Sequence, residues 1–313
     1  MGKIMPSGIS RIGFWLALSG ALLFSTKAIW VKLAYQDTGI DAVSLLLLRM
    51  LFSLPFYLGL FVWAGYKDKY FFKDYRLWMG MVCMGLAGYY ASSLFDFIGL
   101  QYVSAGLERL ILFIYPTLAV LINNWYFKTP FTKKQRWALV ITYAGIVLAC
   151  YSEIKILQVQ DGFYFGCGMI VLCAITFAIY LVGTGRLVLQ AGVVRYTSTV
   201  MLAATVGIAV HYLVVKGWEP ISMKPGLVGY AIALALMATV IPSLLMSSGM
   251  KRIGSNQVSI ITSIGPVSTI LQAHWFLGEP ITGWQIMGTV LVIAGVLLIS
   301  NHSKNSEEPL TAS

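Results

Sequence analysis

One pattern runs along this chain twice. Pro116, Trp125, Pro130, Thr132, Gln135 and Gly145 recur as Pro266, Trp275, Pro280, Thr282, Gln285 and Gly295, each separated from its mate by 150 residues. Six matches in a single register mark an internal duplication, which constrains the architecture before any local element does. Each proline interrupts a long apolar run, as Tyr115-Pro116-Thr117 in the first copy and as Gly265-Pro266-Val267 in the second.

The runs around those prolines are about 20 residues long, the length a helix needs to cross the hydrocarbon of a bilayer. Of the 313 residues 58% are hydrophobic and only 11% charged, and the short alternating segments of an outer-membrane barrel are missing. The chain reads as an all-α polytopic membrane protein. Ten spanning helices are expected near 12–34, 42–64, 77–99, 104–125, 135–152, 163–184, 197–215, 227–249, 255–276 and 283–300. The first run has no Ala-x-Ala pattern and is too long for a signal-peptide core, so it reads as a retained helix. The duplication divides the helices into a first five-helix repeat, 12–152, and a second, 163–300, followed by a polar tail, 301–313, expected to be disordered and cytoplasmic. Five is odd, so the second unit enters the membrane from the opposite side. The repeats are inverted, and prolines at matched positions in inverted repeats point to a transporter whose site lies between the halves.

Net charge +10 raises the question of nucleic acid, but the basic residues fall between apolar runs instead of along one soluble face. With a cytoplasmic N-terminus, 15 of the 22 Lys and Arg lie in inner loops or tails. Both termini are therefore expected inside a cell inner (plasma) membrane. Cys83, Cys150, Cys167 and Cys173 lie in or beside apolar runs without Cys-x-x-Cys spacing, which suits packing and not a metal. No nucleotide motif or catalytic constellation is present, so neither a cofactor nor an enzymatic reaction is expected. The expected partners are a small-molecule solute, the lipid bilayer and protons.

Five-helix units with a proline-containing fourth helix, a Pro-Phe-Thr or Pro-Ile-Thr loop (Pro130 to Thr132, Pro280 to Thr282) and a glycine-containing last helix (Tyr143-Ala-Gly-Ile-Val-Leu, Val292-Ile-Ala-Gly-Val-Leu) resemble the EamA-type branch of the drug/metabolite transporter superfamily. Gly278-Glu279-Pro280 with Gln285 and Gly288 is the most typical segment, while the first unit departs from it with Thr129-Pro130. Ser104-Ala-Gly-Leu-Glu-Arg-Leu looks like a marker of bacterial members. The resemblance covers about residues 12 to 300. It implies a secondary transporter, in most members an exporter of amino acids, related metabolites or drugs, in some proton-coupled.

Charge inside hydrocarbon costs about 2.5–3.5 kcal/mol per group on the insertion scale, so each buried charge calls for a partner or a function. Lys27, Lys32, Arg49, Asp96, Glu108 and Arg109 all fall on one side of the membrane within the first repeat. Ser92 and Asp96 are four apart on one helical face, with Tyr89 one turn earlier. Asp96 and Glu108 flank a short connection. Two readings stay open for them: a substrate or proton site, or an ion-pair network with Arg49, Arg109 or Lys32 that holds the helices together. Lys27 either lines a cavity or snorkels to the interface. Candidates for substrate binding or coupling are therefore Lys27, Arg49, Tyr89, Ser92, Asp96, Glu108, Arg109 and Tyr115, with Asn256 and Gln257 before the second proline, and Pro116 and Pro266 as helix breaks or hinges. The leading functional expectation is a secondary exporter of amino acids or related small metabolites or drugs. Uptake or exchange of a cationic or phosphorylated solute is the alternative, and a non-transporting membrane subunit or an enzyme is a third.

Overall fold

The computed structural model describes residues 11–67, 74–127, 133–156, 161–253, 258, 261–262 and 264–303. Its helices are α1 (Arg11–Ser25), α2 (Lys27–Thr38), α3 (Ala42–Lys67), α4 (Tyr75–Gly85), α5 (Ser92–Gly99), α6 (Ala105–Leu112), α7 (Tyr115–Phe127), α8 (Lys133–Ile156), α9 (Phe163–Ala191), α10 (Val193–Lys216), α11 (Leu227–Ala235), α12 (Ile241–Ile253), α13 (Gly265–Leu277) and α14 (Gly283–Ser303). Among the described residues there is no strand, as hydrocarbon demands of a chain that must satisfy its own backbone without a closed barrel. Several pieces are collinear, and the chain makes ten spans in two sets of five. Among the described residues, six helical runs are long and apolar enough to cross a bilayer unaided, with shorter apolar helices at Leu139–Tyr151 and Gly283–Leu298. The fourth and ninth spans are interrupted just ahead of Pro116 and Pro266.

The duplication reappears in the backbone. The third span contains a π-helical turn at Leu86–Ala91, between α4 and α5, and the eighth contains one at Leu236–Val240, between α11 and α12. Their starting residues stand 150 apart, the register of the sequence repeat. A π-turn widens the helix by one residue and is rare, so its occurrence at matched positions is a property of the repeat.

Packing follows the same exchange of halves. The fifth span (α8) lies along the tenth (α14), the second (α3) against the seventh (α10), and the fourth (α6) against the ninth (α13). The first span packs through α1 on α12 of the eighth, and the sixth span, α9, packs on α5 of the third. Swapping the repeats turns each of these contacts into itself or its mate, so the halves interlock instead of sitting side by side. Small residues allow this closeness, since helices in lipid associate by packing and not by hydrophobic exclusion. A Cβ on Gly145 would stand 2.6 Å from the Gly288 carbonyl oxygen, and one on Gly288 would stand 2.6 Å from that of Gly145. The α8–α14 seam is therefore closed backbone to backbone.

Three further contacts tie the halves at the end holding the 99–105 connection. Glu279, after α13, accepts hydrogen bonds from the Ala105 and Gly106 backbone N–H groups at 2.9 and 3.2 Å. The glutamate of the Gly278-Glu279-Pro280 segment is thus an anionic cap on the first turn of α6 in the other repeat, where the helix dipole favours it. Within the first repeat, Ser104 Oγ caps the same helix by taking the Leu107 N–H at 3.1 Å. Lys216 pairs with Asp41 at 3.3 Å, and the Tyr230 hydroxyl donates to Asp37.

Candidate functional site

The first span breaks at Thr26. Its N–H and its hydroxyl both donate to the Leu23 carbonyl, at 3.0 and 2.7 Å, so the regular ladder lapses for one residue. Lys27 therefore opens α2, where a cation opposes the helix dipole and needs carboxylates nearby. It has two. Lys27 Nζ lies 2.7 Å from Asp96 Oδ2 and 3.6 Å from Glu108 Oε1. The three side chains are 14%, 1% and 0% exposed respectively. Asp96 arrives on α5, the segment directly after the first π-turn, and Glu108 on α6, one turn past the helix start that Glu279 caps. The four carboxylate oxygens are buried and, the ammonium and the neighbouring carboxyl apart, have no hydrogen-bond donor among the described residues. Of the two readings open for these acids, the ion-pair network names Arg49, Arg109 or Lys32 as partners. The ammonium within ion-pair distance of both is that of Lys27, because the break at Thr26 carries it inward to where α5 and α6 meet.

The guanidiniums flank this triad. Arg49 lies on the Asp96 side and Arg109 on the Glu108 side, and the two carboxyls also adjoin each other, so the row runs from Arg49 through Asp96 and Glu108, with Lys27 against both, to Arg109. Arg49 is 4% exposed. Its Nε donates to Thr239 Oγ1 at 2.8 Å, and one terminal nitrogen reaches Ser93 Oγ at 3.5 Å. The guanidinium lies 5.5 Å from the centre of the Phe97 ring, a cation–π distance. Thr239 belongs to the second π-turn and donates to Leu234 O, five residues back; Ser93 follows the first π-turn. One arginine thus bridges the irregular turns of both repeats.

Arg109 performs a similar reach at the other end. Its Nε is buried with no hydrogen-bond partner, and its terminal nitrogen is 3.1 Å from where a Cβ on Gly265 would stand. Gly265 begins α13, directly before Pro266. The break in the first span meets this one too, since Ser25 Oγ donates to Gly265 O at 3.4 Å and Thr269 Oγ1 donates to Ser25 O at 3.2 Å. In the fourth span, Ile114 N–H turns back to Ile111 O at 3.1 Å, and α7 restarts with Pro116 as its second residue, a place where the missing N–H costs nothing. Three broken helices thus converge around the row of charges.

The remaining candidates divide. Ser92 is buried beside the triad, 3.2 Å from Cys173 Sγ. Tyr89 lies in the first π-turn and packs edge-on against Tyr180, ring centres 5.3 Å apart. Tyr115 packs edge-on against Phe177 at 5.0 Å, as part of an aromatic layer. Asn256 and Gln257 lie outside the described residues, as do Pro130 and Thr132 and residues 304–313 of the tail. Residue 258, the position matched to Glu108, is Val258, buried at 2%. The charge row is therefore a property of one repeat only. The sequence reading did not find Thr239, Cys173 or the break at Thr26. Thr239 carried one usable signal, a hydroxyl placed 150 residues beyond Tyr89.

A ten-span bundle of interlocked inverted repeats, with broken helices converging on buried charges, defines a multi-pass membrane transporter. The model of the EamA-like transporter family matches twice, over residues 11–151 and 164–301. The chain belongs to the EamA-like transporter family, within the drug/metabolite transporter superfamily. It is 31% identical over 277 residues, 87% of each chain, to the uncharacterized transporter YcbK of Bacillus subtilis. It is 28% identical over 227 residues, 70% of this chain and 72% of the other, to the transporter YyaM of the same organism. It is also similar to the chloramphenicol-sensitive protein RarD of Pseudomonas aeruginosa, at 24% over 154 residues, 47% of this chain and 50% of that one. A solved crystal structure matches with a TM-score of 0.62 at 18% identity, over 95% of this chain and 99% of that one, and speaks for the fold alone.

Proposed function

We propose that this protein is a secondary transporter that exports a small amphipathic metabolite, such as an amino acid, across a bacterial inner membrane by alternating access, and that Lys27, Asp96 and Glu108 form its proton-coupling centre. The observation that carries the reading is the single ammonium at a helix break, shared by two buried carboxyls that adjoin each other. Two ionised acids side by side set one negative charge against another, which a low-dielectric interior disfavours. A proton taken up by either acid removes that charge and loosens the grip on Lys27. Lys27 sits on the first span, Asp96 on the third and Glu108 on the fourth, so a change in its grip changes how those spans pack.

The two repeats, 12–152 and 163–300, rearrange along the seams they share in this account, with both termini cytoplasmic and the basic loops holding that orientation. Pro116 and Pro266 mark the breaks about which the fourth and ninth spans bend. The test is flux of a mixture of radiolabelled amino acids from proteoliposomes holding the purified full chain. Release that quickens under an imposed pH gradient and loses that response in Asp96→Asn is expected. Absence of movement of any of these solutes, with or without the gradient, would count against the reading.

A further inference from the structure

The five charges of this row, of which Arg49, Asp96 and Glu108 are buried and Lys27 and Arg109 partly so, do not balance. Arg49, Lys27 and Arg109 supply three cations and Asp96 and Glu108 two carboxylates, so among them one positive charge has no carboxylate of its own. Buried charges are ordinarily paired, and the geometry shows which cation is left over. Asp96 is committed to Lys27 by the shorter contact, 2.7 Å, whereas Glu108 stands at 3.6 Å and has charge to spare for Arg109 beside it. That leaves Arg49. Asp96 acts on it only from beyond ion-pair distance, no other carboxylate among the described residues lies within that distance, and its acceptors are two neutral hydroxyls, at 2.8 and 3.5 Å.

We propose that the Arg49 end of the row binds a monoanionic carboxylate carried on an apolar body, which takes the place of the Ser93 and Thr239 hydroxyls as acceptor. A carboxylate matches the fork of a guanidinium, which a pair of hydroxyls on two different helices does not. The apolar body is argued from the surroundings. The Phe97 ring lies under the guanidinium, and Tyr57 and Tyr89 face it from α3 and the first π-turn. Because Ser93 and Thr239 belong to opposite repeats, an anion that displaces them removes the bridge between the two π-turns. The solute's charge is thereby coupled to the contact between the halves. This rests on the transporter reading only in taking the anion to be the solute's; the site itself can be tested by binding alone.

The full chain in detergent micelles is titrated with 3-phenylpropionate and with 2-phenylethylamine, which share a body and carry opposite charge, while its melting temperature is followed. The carboxylate is expected to raise the melting temperature saturably and the amine to leave it unchanged. Arg49→Gln should weaken the carboxylate by about ten- to a hundredfold, the weight of hydrogen bonds to a charged group. The Ser93→Ala, Thr239→Val double variant keeps the guanidinium and removes its internal competitors. It should bind the carboxylate more tightly than the wild type, which a merely structural Arg49 would not produce, and it decides the matter if Arg49→Gln does not fold. A wild type indifferent to the carboxylate, a double variant that binds no better, or a loss confined to Arg109→Gln would overturn the proposal. Saturable, Arg49-dependent binding without flux in vesicles would keep the site and sink the transport reading, and amino acid flux with carboxylate binding indifferent to Arg49 would do the reverse.

Discussion

Replacing Lys27 by methionine keeps the length of the side chain and removes the one ammonium that Asp96 and Glu108 share. The cost can be reached by two routes. Removing one partner of a buried ion pair costs about 3–5 kcal/mol, because the remaining charge stays buried. Alternatively the orphaned acid is neutralised. Holding an ordinary aspartic acid protonated at pH 7, about three units above its reference value, costs about 4 kcal/mol. The routes agree, and Lys27→Met is expected to lose about 3–5 kcal/mol. Asp96→Asn leaves Lys27 with Glu108 and should cost less. In the double variant the Asp96 charge no longer needs compensation, so the cycle should show a coupling of about 2–3 kcal/mol in favour of the pair. The assay is reversible unfolding in mixed micelles, followed by helix content, on the four proteins of the cycle. Additivity within about 0.5 kcal/mol, or a Lys27→Met protein as stable as the wild type, would refute the ion-pair geometry on which the site is built.

Glu279→Ala removes the acceptor for two N–H groups at the start of α6 and should cost about 1–2 kcal/mol, measured as a lower melting temperature, with Glu279→Gln losing less. Gly145→Val puts a branched side chain where even a Cβ would stand 2.6 Å from the Gly288 carbonyl, so the α8–α14 seam cannot close; loss of a monodisperse peak in size-exclusion chromatography is the expected readout. At the 38–42 connection, burial alone would raise the Asp41 carboxyl, but the Ser44 N–H and hydroxyl and the Lys216 ammonium outweigh it and hold it below the usual aspartate range. A depressed carboxyl gives stability that is present above its unfolded value and is lost as pH falls through its folded one. Asp41→Asn should therefore lower the melting temperature at neutral pH and flatten its fall on the acid side, and an unchanged acid limb would contradict this.

Much of the architecture is legible in the sequence because hydrocarbon leaves few choices. A run of about 20 apolar residues can only be a span, and six matches at a spacing of 150 can only be a repeat. The prolines place the breaks of the fourth and ninth spans for the same reason, since Pro116 and Pro266 cannot donate to a ladder. The break at Thr26 carries no such mark. A threonine inside a helix normally folds its hydroxyl back onto a carbonyl without interrupting it, so Lys27 read equally well as a snorkelling residue. The π-turns are equally silent, because Leu86–Ala91 and Leu236–Val240 are compatible with ordinary α-helix. Asp96 and Glu108 were placed near each other by their short connection alone. Which cation they share depends on the crossing of the first span with α5 and α6, a packing fact no local pattern encodes. The same holds for Glu279, whose partners lie 173 and 174 residues away.

The central claim is that the buried acids couple solute movement to protons. It is tested most directly by pH-gradient-driven transport of labelled amino acids in proteoliposomes, set beside solute exchange at equal pH, for the wild type and Glu108→Gln. The account predicts that the wild type does both, and that Glu108→Gln exchanges solute while the gradient no longer drives it. A wild type whose transport ignores the gradient, or a Glu108→Gln protein driven by it as strongly as the wild type, would contradict the account.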